Sequence, residues 1–219
     1  VTVTTRHQDE TTGTRLRVEG GETLEKRQIG APPGTVITIA DLFYNTPARL
    51  KFLKSDTTER RQVTTMVTNY AMAYPGVSFT LIYDGREILR TYGTGELGDV
   101  LLMALGADTF RHMLPVTPQP PKRPDLPPVK VHGFTSSPDQ SRANRSHITL
   151  FVNGRAIKDT SLAYAVTQAY HTLMPKGRYP IAVLMIDMPP AEVDVNVHPT
   201  KAEVRFRSPD IVFSAVQRA

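Results

Sequence analysis

The chain of 219 residues is long enough for two ordinary domains with separate cores. Its apolar, aromatic and charged fractions of 40%, 7% and 21% are those of a globular protein, no apolar run approaches bilayer-spanning length, and the lack of cysteine excludes disulfides and thiolate metal sites. A formal net charge of +5, with 12 basic against 10 acidic residues before residue 94 and 14 against 11 after it, excludes a basic tail and leaves only a local patch for any polyanion.

The chain opens on Val1-Thr-Val-Thr-Thr-Arg6, a strand with no initiator Met, as expected of a piece of a longer protein. Alternation returns over Thr14 to Glu19 and Thr23 to Ile29 on either side of Gly20-Gly21, and again over Thr35 to Ile39 after the Pro32-Pro33-Gly34 turn, which predicts an antiparallel sheet. In DLFYNTPARLKFL, Pro47 takes the first turn of a short helix with Thr46 or Asn45 as its cap. A longer helix follows from Asp56, with Val63, Met66, Val67, Tyr70, Ala71 and Tyr74 on the face expected to pack on the sheet. Val77 to Tyr83 and Glu87 to Tyr92 form a hairpin about Asp84-Gly85. Glycine and small polar residues from Gly93 to Gly98 mark the expected domain boundary.

Beyond it, Val100 to Leu105 and Thr109 to Leu114 predict short helices. The proline-rich stretch Pro115 to Pro128 predicts an extended loop or edge. Val129 to Thr135 and Ile148 to Val152 are strands, the second closed by Asn153-Gly154. Thr160 to Leu173 is a helix with Leu162, Val166, Ala169, Tyr170 and Leu173 on one face, and Ile181 to Met188 a strand, so a β-α-β crossover is expected. Val193 to Phe206, VDVNVHPTKAEVRF, reads as strand, tight turn and strand with Lys201 at the bend, and Asp210 caps a last helix. Stiffened by Pro199, Lys201 is either a point charge positioned for a phosphate or one more solvated lysine.

Arg142, Arg145, Arg155 and Lys158 form a basic cluster on a loop and a strand-to-helix turn, where Gly154 lets backbone come close. It reads as a phosphate contact or as a solvated rim. No aromatics interleave with it, so stacking of single-stranded bases is not expected. The six histidines lack metal-binding spacing, and His198 reads as a turn residue. Asp194 and Asn196 share a strand face and read as turn-fixing hydrogen-bonding groups, general-base work being the other reading. None of the phosphate-loop, dinucleotide or nucleophile-elbow motifs is present.

Three segments, GTVITIADLFYNTPARLKFL, FVNGRAIKD and VDVNVHPTKAEVRF, together resemble the N-terminal region of the MutL family of DNA mismatch-repair ATPases, within the GHKL superfamily. The likeness extends over almost the whole chain except the proline-rich loop. It implies an α+β fold: the latter part of a GHKL-type ATPase α/β sandwich over residues 1–94, then a ribosomal-S5-domain-2-like transducer domain over 95–219. It implies a parent that binds ATP and Mg2+, with Lys201 on the terminal phosphate as catalytic and nucleotide-binding residue and Gly34 and Thr35 against the adenine. Arg155 and Lys158 match basic positions of the family's DNA groove, and Arg142 and Arg145 belong to the same cluster.

The resemblance further implies DNA, a MutS-type mismatch-recognition protein and other repair proteins as partners, homodimerisation of the parent, and a cytoplasmic, nucleoid-associated location with no membrane contact. The family's magnesium- and water-orienting motifs and glycine-rich lid are not in the sequence. The chain alone is therefore expected to have no metal site, to hold no cofactor tightly and to be inactive as an ATPase. Its first sheet is expected to expose an apolar face that self-associates. The competing reading is a non-enzymatic DNA-binding module with vestigial ATP-facing residues.

Overall fold

The computed structural model describes residues 1–120, 126–194 and 203–219. They form two compact units, Val1–Arg60 and Arg61–Ala219.

In the first unit, β1 (Thr2–Arg6), β2 (Gly13–Glu19), β3 (Glu22–Ile29) and β4 (Gly34–Thr38) make one antiparallel sheet in the order β3-β2-β1-β4. Glu19 pairs with Glu22 across Gly20 and Gly21, whose φ values of 59° and 98° are those a two-residue hairpin turn demands. The register sets Val3 beside Leu16 and Ile37, and Thr2 beside Arg17 and Thr38, so alternation gives one apolar and one polar face. Neither is closed over: no hydrophobic side chain of residues 1–60 is buried, and Val36, Ile37 and Ile39 are each more than 60% exposed. The short helix α1 (Pro47–Leu50) starts with Pro47 behind Thr46, as expected, although the Thr46 side chain makes no capping bond.

Helix α2 (Asp56–Ala73) crosses the division between the units. In the second unit it is followed by the hairpin β5 (Thr80–Tyr83) and β6 (Arg86–Arg90), α3 (Leu97–Leu105), α4 (Ala107–Phe110), β7 (Met113–Val116) and β8 (Lys130–Ser136). After the two-residue β9 (Ser141–Arg142) come β10 (Ile148–Val152), β11 (Arg155–Ile157), α5 (Thr160–Ala169), the short β12 (Tyr179–Pro180) that pairs with β9, and β13 (Ala182–Asp187). The chain closes with β14 (Val193–Asp194), β15 (Arg205–Phe206) and α6 (Pro209–Arg218).

The main sheet runs β11-β10-β13-β8-β7. Strands β10 and β13 are parallel, with α5 between them in sequence, which is the expected crossover. Five of the six β13 residues are buried, and that burial on both faces is why Ala182 to Ile186 reads as an unbroken apolar run. Leu150, Val152, Leu184 and Ile186 meet Leu162 and Val166 of α5 and Val212 and Val216 of α6 on one face. Phe151, Val183 and Met185 meet Ala71 and Met72 of α2 and Val100 and Leu101 of α3 on the other. Burying a side chain the size of Phe151 contributes about 1.5–3 kcal/mol, so the sheet is held between two helical layers.

Residues 61–94 pack with the second compact unit, because Ala71 and Met72 are part of its core. For single elements the arrangement corrects several expectations. Only the last turns of α2 bury against the sheet: Val63, Met66, Tyr70 and Tyr74, expected on the packed face, are exposed. The helix expected over Thr109 to Leu114 is replaced by α4 and strand β7, whose Met113 and Val116 are buried. Pro115 is tolerated there because β7 is an edge strand. Strand β11 was not anticipated, α5 ends at Ala169, and in the last helix Ser208 takes the N-cap position without a side-chain capping bond while Asp210 lies in the first turn. Strands β14 and β15 pair antiparallel at the ends of VDVNVHPTKAEVRF, while residues 195–202, Lys201 among them, lie outside the described residues.

Candidate nucleic-acid interface

The hairpin β10–β11 carries the first pair of cations. Val152 pairs with Arg155 across Asn153 and Gly154, whose φ values of 47° and 77° give the turn in which Asn-Gly is favoured. The turn is tied to the centre of the sheet, since Asn153 N–H donates to Ile186 O and Met188 N–H to Asn153 Oδ1, both at 3.0 Å. Buried Ile157 anchors β11. Asp159 then accepts a 2.9 Å bond from Leu162 N–H and caps α5, so Lys158 is held between a buried strand and a fixed helix start.

Across from the hairpin lies the open face of α2. Arg61, Met66, Asn69, Tyr70 and Tyr74 line a cleft of about 1020 Å3 together with His147, Asn153, Arg155 and Lys158, all within the second unit. No Asp or Glu is among its described lining residues. Neither Arg155 nor Lys158 makes an ion pair or side-chain hydrogen bond among the described residues, so both charges are available to an incoming anion. Partial desolvation, then the charge of Arg142, draws the His147 imidazole below its usual range. Tyr70 and Tyr74, about half exposed, stack on each other with ring centroids 6.4 Å apart and planes 16° from parallel.

The four residues of the basic cluster do not share one environment. Arg155 and Lys158 face the cleft. Arg142 lies in β9, donates to Ser141 O at 3.2 Å, and reaches the cleft only through its effect on His147. The Arg145 guanidinium lies 5.2 Å from the Tyr179 ring centroid and 6.0 Å from that of Tyr164, a cation held over aromatic faces. Arg61, His147 and the tyrosine pair escaped the sequence reading, although the exposed stripe of α2 was visible there as an apolar periodicity.

Gly34 and Thr35 lie in the first unit, on edge strand β4. Both are exposed, the Thr35 hydroxyl shares a 2.8 Å hydrogen bond with that of Thr5, and the space over Gly34, at φ 121°, is open. Among the described residues no three His, Cys, Asp or Glu side chains gather as metal ligands, and no helix is long and apolar enough to cross a membrane.

The chain belongs to the DNA mismatch-repair protein family, whose C-terminal-domain model matches residues 101–219. It is 43% identical to the DNA mismatch repair protein MutL of Symbiobacterium thermophilum over 98% of its own length and 33% of that protein's. The chain thus spans about a third of the length of the curated relatives it matches. Among solved structures it resembles the ATPase domain of the mismatch repair endonuclease MutL of Aquifex aeolicus, with a TM-score of 0.70 and 25% identity over 98% of this chain and 74% of that one. It also resembles the ADP complex of that ATPase domain, with a TM-score of 0.66 and 26% identity over 86% and 67%. The α+β fold expected from the sequence is therefore that of the MutL ATPase region.

Proposed function

We propose that the chain is the part of a MutL-type mismatch-repair ATPase that couples nucleotide binding to the grip on DNA, with the cleft between α2 and the β10–β11 hairpin as its DNA contact. The supporting observation is the cleft itself, which Arg61, Arg155 and Lys158 line with no carboxylate among its described residues. Cations without protein partners attract phosphodiester oxygens, and their contribution is independent of base sequence. Arg142 and Arg145 add positive charge near the same hairpin.

In the intact parent, residues 1–94 complete the ATPase domain and 95–219 form the transducer. ATP with Mg2+ would supply a phosphoanhydride whose binding could bias the parent between states. Gly34 and Thr35 would hold its adenine and Lys201 would meet its terminal phosphate, neutralising charge there. Dimerisation of the parent, engagement of a MutS-type partner and other repair proteins, and a cytoplasmic site of action belong to the same proposal. The test is charge reversal, Arg155→Glu with Lys158→Glu, read by fluorescence anisotropy against a labelled duplex at several salt concentrations. Two lost phosphate contacts lower the slope of log affinity against log salt by about two and weaken binding alike for unrelated sequences. Unchanged slope and affinity would show that these residues are a solvated rim.

A further inference from the structure

The sequence set the basic cluster apart from any aromatic residue, but the fold brings two tyrosines of α2, far upstream in the chain, to Arg155 and Lys158. Tyr70 and Tyr74 are an i, i+4 pair, already stacked on each other, and each keeps about half of its surface open. A pair of near-parallel rings, each about half open to solvent, offers a surface on which another flat ring can stack. Stacking of this kind is indifferent to base identity, because every base has a π-face, and it is closed to a base still paired inside a duplex. The same cleft holds Arg61, Arg155 and Lys158 for the phosphates, and the Asn69 carboxamide for a base edge. At about 1020 Å3 it has room for an unstacked nucleotide.

We infer that Tyr70 and Tyr74 are base-stacking residues, and that the cleft grips an unpaired base as well as the backbone. The burial pattern agrees: the final turns of α2 supply Ala71 and Met72 to the core, while the tyrosine stripe is left out of it. This inference rests on the reading of the cleft as a DNA site.

The experiment compares a labelled 20-mer of dT with an abasic 20-mer of equal charge, by anisotropy with the 219-residue chain at fixed salt. The wild-type chain binds dT about tenfold more tightly than the abasic strand. Tyr70→Ala with Tyr74→Ala brings that ratio close to one, while Tyr70→Phe with Tyr74→Phe, which keeps both rings, retains it. A wild-type ratio near one, or a ratio untouched by the alanine pair, overturns the base-stacking role. If Arg155→Glu with Lys158→Glu leaves binding to both strands unaltered, the failure lies with the cleft as a DNA site. If that variant weakens both strands but the ratio ignores the tyrosines, the cleft binds backbone only.

Discussion

Placing alanine at Gly133 tests whether the sheet that carries the cationic hairpin is as closely built as it looks. Gly133 is buried in β8, with φ at 132°, and a Cβ there would sit 2.2 Å from Val183 O, where real Cβ atoms keep at least 3.0 Å. The obstacle is the backbone of β13, paired on both sides, so no side-chain rotation relieves it. A strained backbone costs about 1–3 kcal/mol and overpacking about as much again, together roughly 2–6 kcal/mol. For a chain of this size each kcal/mol lowers the melting temperature by about 2–4 °C. Gly154→Ala is the control: φ is 77° but nothing lies within 4 Å of the added carbon, leaving only a left-handed backbone cost of about 1–2 kcal/mol. Urea and thermal unfolding of both variants, followed by circular dichroism, separate the terms. If Gly133→Ala loses no more than Gly154→Ala, the inter-strand clash is not real and the register of β8 on β13 has been misread.

Ser136→Ala is expected to cost about 2–3 kcal/mol in the same melts, because the fully buried hydroxyl donates to Gln140 O at 2.7 Å and accepts from Ile181 N–H at 3.1 Å, and both partners lose their bond; a loss under about 0.5 kcal/mol counts against that network. Burial raises the Tyr170 phenol above the usual tyrosine range, opposed by its hydrogen bond with Thr135. The neutral form is thus favoured on folding, and its contribution is present below about pH 10 and lost as pH rises through the folded value; Tyr170→Phe should flatten the alkaline loss, and an unchanged alkaline limb refutes this. For His147 the shift is downward, from burial and then Arg142, so its contribution to stability is full above pH 6.5 and falls as pH drops through the folded value. An NMR titration of His147 with a midpoint at or above 6.5 contradicts the assignment. Exposed Val36, Ile37 and Ile39 lead to concentration-dependent self-association, and light scattering that reports a monomer over a hundredfold dilution argues against it.

Local chemistry explains which parts of the fold were legible. Gly20-Gly21, Asp84-Gly85 and Asn153-Gly154 all turn with positive φ at both positions, and few other dipeptides tolerate that, so the three hairpins stood out. Strand β13 stood out because it is apolar throughout. What stayed hidden depends on partners distant in sequence. Periodicity showed that α2 has an apolar stripe, but not that Ala71 and Met72 meet Phe151 while Tyr70 and Tyr74 face a cleft. Likewise Met113 and Val116 become strand residues only because β8 lies beside them. The site was half legible: Arg155 and Lys158 followed from a cationic hairpin, whereas Arg61 and the tyrosines required knowing that residues 61–74 lie opposite residues 153–158.

The turn Asn153-Gly154 also gives the interface an age. In an Asn-Gly pair the glycine nitrogen can attack the asparagine side-chain carbonyl, expelling ammonia, and hydrolysis of the resulting ring leaves aspartate or isoaspartate. The bond from Met188 N–H to Asn153 Oδ1 restrains the carboxamide and slows that closure, but every completed event plants a carboxylate beside Arg155 and Lys158 in a cleft with none among its described lining residues. A preparation kept for weeks at alkaline pH is therefore expected to gather chains with a new negative charge, and in the isoaspartate form an extra backbone methylene, at a turn that two 3.0 Å bonds tie to the sheet.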